Sequence, residues 1–93
     1  MAAPVAENLL TWEVVKLVYD EGARYLFPDR DEGLARVRQV LSRGLAAHGA
    51  EPATATTSDF RKLYRVGWAD LLDEVVPYEA RSRVTERFRG LVF

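Results

Sequence analysis

The chain has 93 residues, 48% apolar, 29% charged and 11% aromatic, with 13 Lys and Arg against 14 Asp and Glu for a net charge of -1. These values describe one small globular domain, and they argue against both a disordered chain and a strongly basic nucleic-acid binder. Cysteine is absent and His48 is the sole histidine, which excludes disulfides, thiolate chemistry, Cys-ligated zinc, iron–sulfur clusters and any multi-histidine metal site within one chain.

Met1 to Asn8 has no basic n-region, carries Glu7 and lacks a long apolar core, so it does not read as a targeting signal. No stretch reaches the ~18 apolar residues that span a bilayer. The expectation is a cytoplasmic protein, and the lack of cysteine suits a reducing compartment. Arg outnumbers Lys 11 to 2 and Ala is abundant, the bias of a GC-rich, bacterial genome.

Turn residues at Pro28–Asp29, along Gly49–Ser58 and at Pro77 divide the chain into four segments. Each is helical by the spacing of its apolar residues, which predicts an all-α bundle of two helical hairpins. The first segment spans about residues 5–27. Glu13, Lys16, Asp20 and Arg24 share one narrow strip, with favourable pairs at i+3 and i+4. Leu10, Trp12, Val14, Val15, Leu17, Val18, Tyr19, Tyr25 and Leu26 fill an arc of about 220°, twice the width of an ordinary amphipathic stripe. Such a helix needs cover on two sides. Gly22 lies within this arc and costs up to ~1 kcal/mol in a helix interior, so a close approach by another backbone is expected there.

The second segment, about 31–48, has Asp29 or Asp31 as N-cap, the stripe Leu34, Val37, Leu41, Gly44 and Leu45, and Gly49 as a left-handed C-terminal residue. Its short connection to the first segment predicts antiparallel neighbours. Residues 49–58 read as a flexible loop. The third segment, about 59–76 and capped by Ser58 or Asp59, changes its apolar centre across Gly67, from Phe60, Leu63 and Tyr64 to Trp68, Leu71, Leu72, Val75 and Val76. It either bends there or divides, giving a fifth helix. The fourth segment, about 77–89, has Pro77 at N1 and buries Val84 and Phe88. Arg81 falls in its apolar arc and requires an acid from Asp70, Asp73 or Glu74. The apolar end Gly90–Phe93 either packs back or continues into a longer chain.

Three constellations have the residue types for chemistry or binding. Asp70, Asp73 and Glu74 sit on consecutive turns, a spacing used by helical carboxylate metal sites, but a hard cation also needs a second acidic turn facing them. Without one they read as a solvated face, and no metal or cofactor is expected. His48, at the end of the second helix, suits the helix dipole; Thr54, Thr56, Thr57, Ser58 and Glu51 follow it without a motif that fixes a nucleophile beside a base. No nucleophile elbow, P-loop or dinucleotide fingerprint is present, so an enzyme is not expected. Arg61, Lys62, Arg65, Arg83 and Arg87 form the third set. From Gly33 onward there are 10 bases and 7 acids, against 3 and 7 in residues 1–32. A helix-turn-helix regulator reading nucleic acid through these five residues is the secondary expectation.

The primary expectation is a non-catalytic protein-interaction module, a homodimer or an adaptor or recruitment domain. Its docking surface would be the apolar-aromatic face of the first helix, at Trp12, Val15, Tyr19, Gly22 and Leu26, because a domain of this size has limited interior in which to hide them. In size and helical content such a chain is similar to bacterial adaptor domains of the death-like type, a likeness of architecture alone.

Overall fold

The computed structural model describes residues 7–93, and their regular structure is entirely helical. The helices are α1 (Leu9–Glu21), α2 (Arg30–Ala46), α3 (Thr57–Val66), α4 (Trp68–Val75) and α5 (Arg81–Val92), with 3-10 turns at Ala23–Tyr25 and Tyr78–Ala80. The all-α bundle forms as expected, and the third segment divides at Gly67 into α3 and α4. None of these helices is long and apolar enough to cross a membrane.

Side chains that satisfy free backbone N–H groups set the starts of the first three helices. The Asn8 carboxamide oxygen accepts from the Thr11 N–H at 2.8 Å, so α1 begins at Leu9. The expected start near Val5 lies outside the described residues. Asp29 accepts from the Glu32 N–H at 3.0 Å and starts α2. Thr56 caps α3, two residues before the expected caps. The Asp59 N–H donates to the Thr56 hydroxyl, while the Thr56 N–H donates to the Asp59 carboxylate at 2.8 Å, a reciprocal capping box.

Helix α2 ends on Gly49, whose φ of 82° is the left-handed conformation expected there. The Ala50 N–H reaches the Leu45 carbonyl and the Gly49 N–H the Ala46 carbonyl, which completes a Schellman motif. The following connection is anchored rather than loose. The Thr11 hydroxyl donates to the Pro52 carbonyl at 2.7 Å, the Asn8 amide donates to the Ala55 carbonyl at 2.8 Å, and Ala55 is buried. Two polar side chains at the start of α1 thus hold backbone 41 and 47 residues away, a relation that no local pattern announces.

Helix α1 lies between α2 and α5 and is antiparallel to both. Asp20 pairs with Arg30 at the start of α2, whereas Glu7 pairs with Arg38 further along it. Glu21 at the end of α1 meets Arg83 and Arg87 of α5. Val14, Val15 and Val18 are fully buried. Tyr19 is buried as well, and its hydroxyl donates to the Phe27 carbonyl at 2.8 Å. Gly33 of α2 gives that ring its place, because a Cβ at Gly33 would overlap the ring edge.

A second cluster joins α3, α4 and α5. Trp68 stacks on Phe88 with ring centroids 4.0 Å apart and planes 17° apart, and its indole N–H donates to the Thr85 hydroxyl at 2.8 Å. Phe60 meets the Phe88 ring edge-on at 6.2 Å. Pro77 precedes a 3-10 turn rather than opening a helix, so α5 starts four residues late, at Arg81, and runs through Gly90 to Val92. Val92 is buried, so the apolar end does pack back, with Phe93 left exposed.

Candidate functional site

The proposed face of α1 does not lie along one accessible surface. Val15 and Tyr19 are core residues, and Gly22 faces the side chains of Val84 and Val76, at 2.8 and 2.9 Å from where its Cβ would stand. The close approach expected at Gly22 is real, but it is made by two valines rather than by a backbone. Trp12 is partly buried, with the guanidinium of Arg38 over its ring at 5.0 Å and the Lys16 ammonium at 5.5 Å. These two cationic heads cover part of the ring. Of the five expected docking residues only Leu26 is substantially exposed, at 48%. The wide apolar arc therefore has its two-sided cover within one chain, from α2 and α5.

What remains open is the end of α1. There the chain turns through Ala23–Tyr25 and exposes Tyr25 by 57% beside Leu26. A cleft of 390 Å3 separates this turn from the start of α5, lined by Glu21, Tyr25, Pro77, Glu79, Ala80 and Arg83. Tyr78, next in sequence to two of these residues, is 80% exposed. Its position between Pro77 and Glu79 on a 3-10 turn keeps the ring off the core. Sequence reading placed Tyr25 in the apolar arc and passed over Tyr78. The signal at Tyr78 was its place directly after a turn-forming proline, where an aromatic has no helical stripe to join.

The basic set divides. Arg83 and Arg87 point toward α1, where both meet Glu21, at 3.9 and 3.6 Å. Arg83 takes Glu21 on another helix rather than Glu79 or Glu86, which stand four residues before it and three after it in sequence. Arg61 donates through Nε to the Val92 carbonyl at the end of α5, where a cation is favoured by the helix dipole. Lys62 and Arg65 are exposed and make no ion pair among the described residues. A single groove-reading surface through all five residues is therefore absent. In the helix-turn-helix reading with its turn at Gly67, α4 would enter the groove, yet α4 carries Asp70, Asp73 and Glu74 and no base, which phosphate would repel.

The three acids of α4 also part company. Asp73 pairs with Arg81 at 2.7 Å, supplying the acid that arginine required. Glu74 accepts from Arg43 of α2 at 2.7 Å and lies 3.8 Å from Arg36. Arg36 thus turns to Glu74 rather than to Glu32, four residues before it on the same helix. Asp70 lines a notch with Gly44 and Gly67. Among the described residues no three His, Asp or Glu side chains are grouped to hold a metal ion.

Around His48, the Thr56 hydroxyl is committed to the capping box. Both ring nitrogens of His48 are shielded from solvent and have no hydrogen-bond partner, so no hydroxyl or carboxylate is bonded to this ring.

Both the class, a small all-α bundle, and the open end of α1 follow from the chain's own geometry. Comparison with protein-family models, curated proteins and solved structures gives no match.

Proposed function

We propose that this chain is a non-catalytic protein-interaction module that docks through the end of α1 rather than along its length. The observation that carries the reading is the exposure of Tyr25, which lines the cleft between α1 and α5, together with that of Leu26 and Tyr78, which adjoin lining residues in sequence. Aromatic and aliphatic side chains beside a concave apolar wall suit the centre of a protein interface, and Glu21, Glu79 and Arg83 supply a polar rim. Burying a few hundred Å2 of such surface contributes several kcal/mol at about 25 cal/mol per Å2, before the cost of association is subtracted. No nucleophile and base stand together around this cleft, which favours docking over catalysis. A cytoplasmic setting fits a chain with no cysteine.

The test is association measured by light scattering and pull-down for the wild type and for a Tyr25→Glu, Leu26→Glu double variant. Both positions are exposed, so the variant should keep its circular dichroism spectrum. Self-association or partner capture should weaken at least tenfold. Unchanged binding by the folded variant, or a wild type that neither self-associates nor retains a partner, overturns the reading.

A further inference from the structure

Two ends of the bundle carry opposite uncompensated charge, and each also presents exposed aromatic surface. At the end where α1 finishes and α2 and α5 start, Asp31, Glu32 and Glu79 make no ion pair among the described residues, and they accompany Tyr25, Leu26 and Tyr78. Arg24, the base at this end without a carboxylate partner, is turned back onto the Asp20 carbonyl and the Tyr25 hydroxyl.

At the other end lie α3 and the last turns of α5. Lys62, Arg65 and Arg89 make no ion pair among the described residues, and Arg61 is engaged only by a carbonyl; Asp59 of α3 and Glu86, which lines a surface with Arg89 and Phe93, also make none, so four bases face two acids and the end stays positive. The guanidinium groups of Arg61 and Arg89 lie over the exposed Phe93 ring at 5.4 and 5.9 Å, and Tyr64 meets that ring edge-on at 5.4 Å. The antiparallel packing of α1 with α2 and α5 keeps the two ends apart by about the length of α1, 13 residues or ~20 Å. They cannot neutralise each other within one molecule.

We propose that the occupant of the acidic, Tyr25–Tyr78 end is the basic, Phe93 end of a second copy of this chain, so that copies add head to tail. The proposal rests on the reading of the cleft between Tyr25 and the start of α5 as a docking surface and names its partner. Charge complementarity selects this occupant: the two patches have opposite sign while the whole chain carries only -1, so repulsion between copies is slight. Each patch combines flat apolar rings with a charged margin, which sets register as well as attraction. Because the two surfaces differ, the contact is heterologous, and assembly gives an open chain or a ring rather than a closed two-fold dimer.

Sedimentation velocity over a concentration series in low salt tests this with three proteins. These are the wild type, a head variant (Tyr25→Lys, Leu26→Lys) that removes the apolar side chains and opposes the basic end with like charge, and a tail variant (Arg65→Glu, Arg89→Glu) that spares the Arg61 contact at the end of α5. The expected wild-type mass rises past a dimer with concentration and falls toward the monomer in 0.5 M NaCl, ~4 Å of screening length. Each variant alone stays monomeric, and an equimolar mixture of the two gives a dimer and nothing larger, since only one intact head and one intact tail remain. A wild type that stays monomeric, a wild type that plateaus at a dimer, or variants that assemble as the wild type does, each overturns the proposal. So does tail-dependent binding of a single-stranded oligonucleotide by a wild type that does not assemble, which would assign the basic end to nucleic acid. A monomeric wild type whose Tyr25 and Leu26 still retain a different protein leaves the docking surface standing and removes only the second copy.

Discussion

Glycine at a single position decides between local preference and packing in this chain. Gly33 and Gly90 both lie within helices, where alanine is favoured by up to ~1 kcal/mol. A Cβ at Gly90 meets nothing within 4 Å, so Gly90→Ala is expected to raise stability by about 0.5–1 kcal/mol. A Cβ at Gly33 collides with the Tyr19 ring, which is held by its hydroxyl on the Phe27 carbonyl. Overpacking of this kind typically costs 1–3 kcal/mol and outweighs the helix preference, so Gly33→Ala should lower stability. Urea denaturation of both variants checks the opposite signs. Gly33 illustrates what sequence leaves hidden. Its place within the second helix was legible, whereas its reason is a ring on another helix. Tyr19 is likewise legible as apolar, but its use as an inter-element hydrogen-bond donor is not.

Among the elements, the segments that were read correctly owe this to periodicity, and the displaced boundaries to capping chemistry. Helix α2 and the break at Gly67 follow from the positions of Leu34, Val37, Leu41 and from the shift of the apolar centre between Leu63 and Trp68. The start of α3 is set by Thr56-x-x-Asp59, a capping-box spacing present in the sequence, rather than by Ser58 or Asp59 acting as N-cap. This box gives α3 a pH dependence. The Thr56 backbone N–H holds the Asp59 carboxyl below its ordinary pKa, helped less by the Thr56 hydroxyl and by His48 and Lys62, and opposed by desolvation. A pKa lowered in the folded state contributes stability that is complete above the unfolded value and is lost as pH falls through the folded one. Wild type should therefore lose stability below about pH 4 more steeply than Asp59→Asn, as melting temperatures between pH 2 and pH 7 would show; parallel curves would contradict it. The 49–56 connection belongs to the same scale. Thr11→Val leaves the Pro52 carbonyl with only the longer bond from the Asn8 backbone N–H, at 3.4 Å, at a cost of about 1 kcal/mol, with faster amide exchange in residues 50–55 as the local sign.

For the whole molecule, the expectation that a chain of this length cannot hide its first helix was wrong for two physical reasons. Division of the third segment lets α4 run back along α2 and frees α5 to close the other side of α1. Arg38 and Lys16 then place their cationic heads over Trp12, which apolar counting does not register. The proposed docking surface lies accordingly at the end of α1 rather than along its length, and Leu26 is the one residue common to both readings. The charge asymmetry between the two parts of the sequence was legible, but its separation onto two ends of the bundle depends on antiparallel packing and on which arginines are taken up by Glu21, Asp73 and Glu74.

All of this depends on the apolar face of α1 being closed within a single chain while its C-terminal turn is open. Equilibrium urea unfolding of Val15→Ala beside Tyr25→Ala, at a concentration where the protein is monomeric, tests that most directly. Val15 is fully buried and Tyr25 is 57% exposed, so the first change should cost about 2 kcal/mol and the second no more than about 1 kcal/mol. A Val15→Ala monomer as stable as the wild type would contradict the account, because it would place that face of α1 in solvent and return the docking surface to the length of the helix.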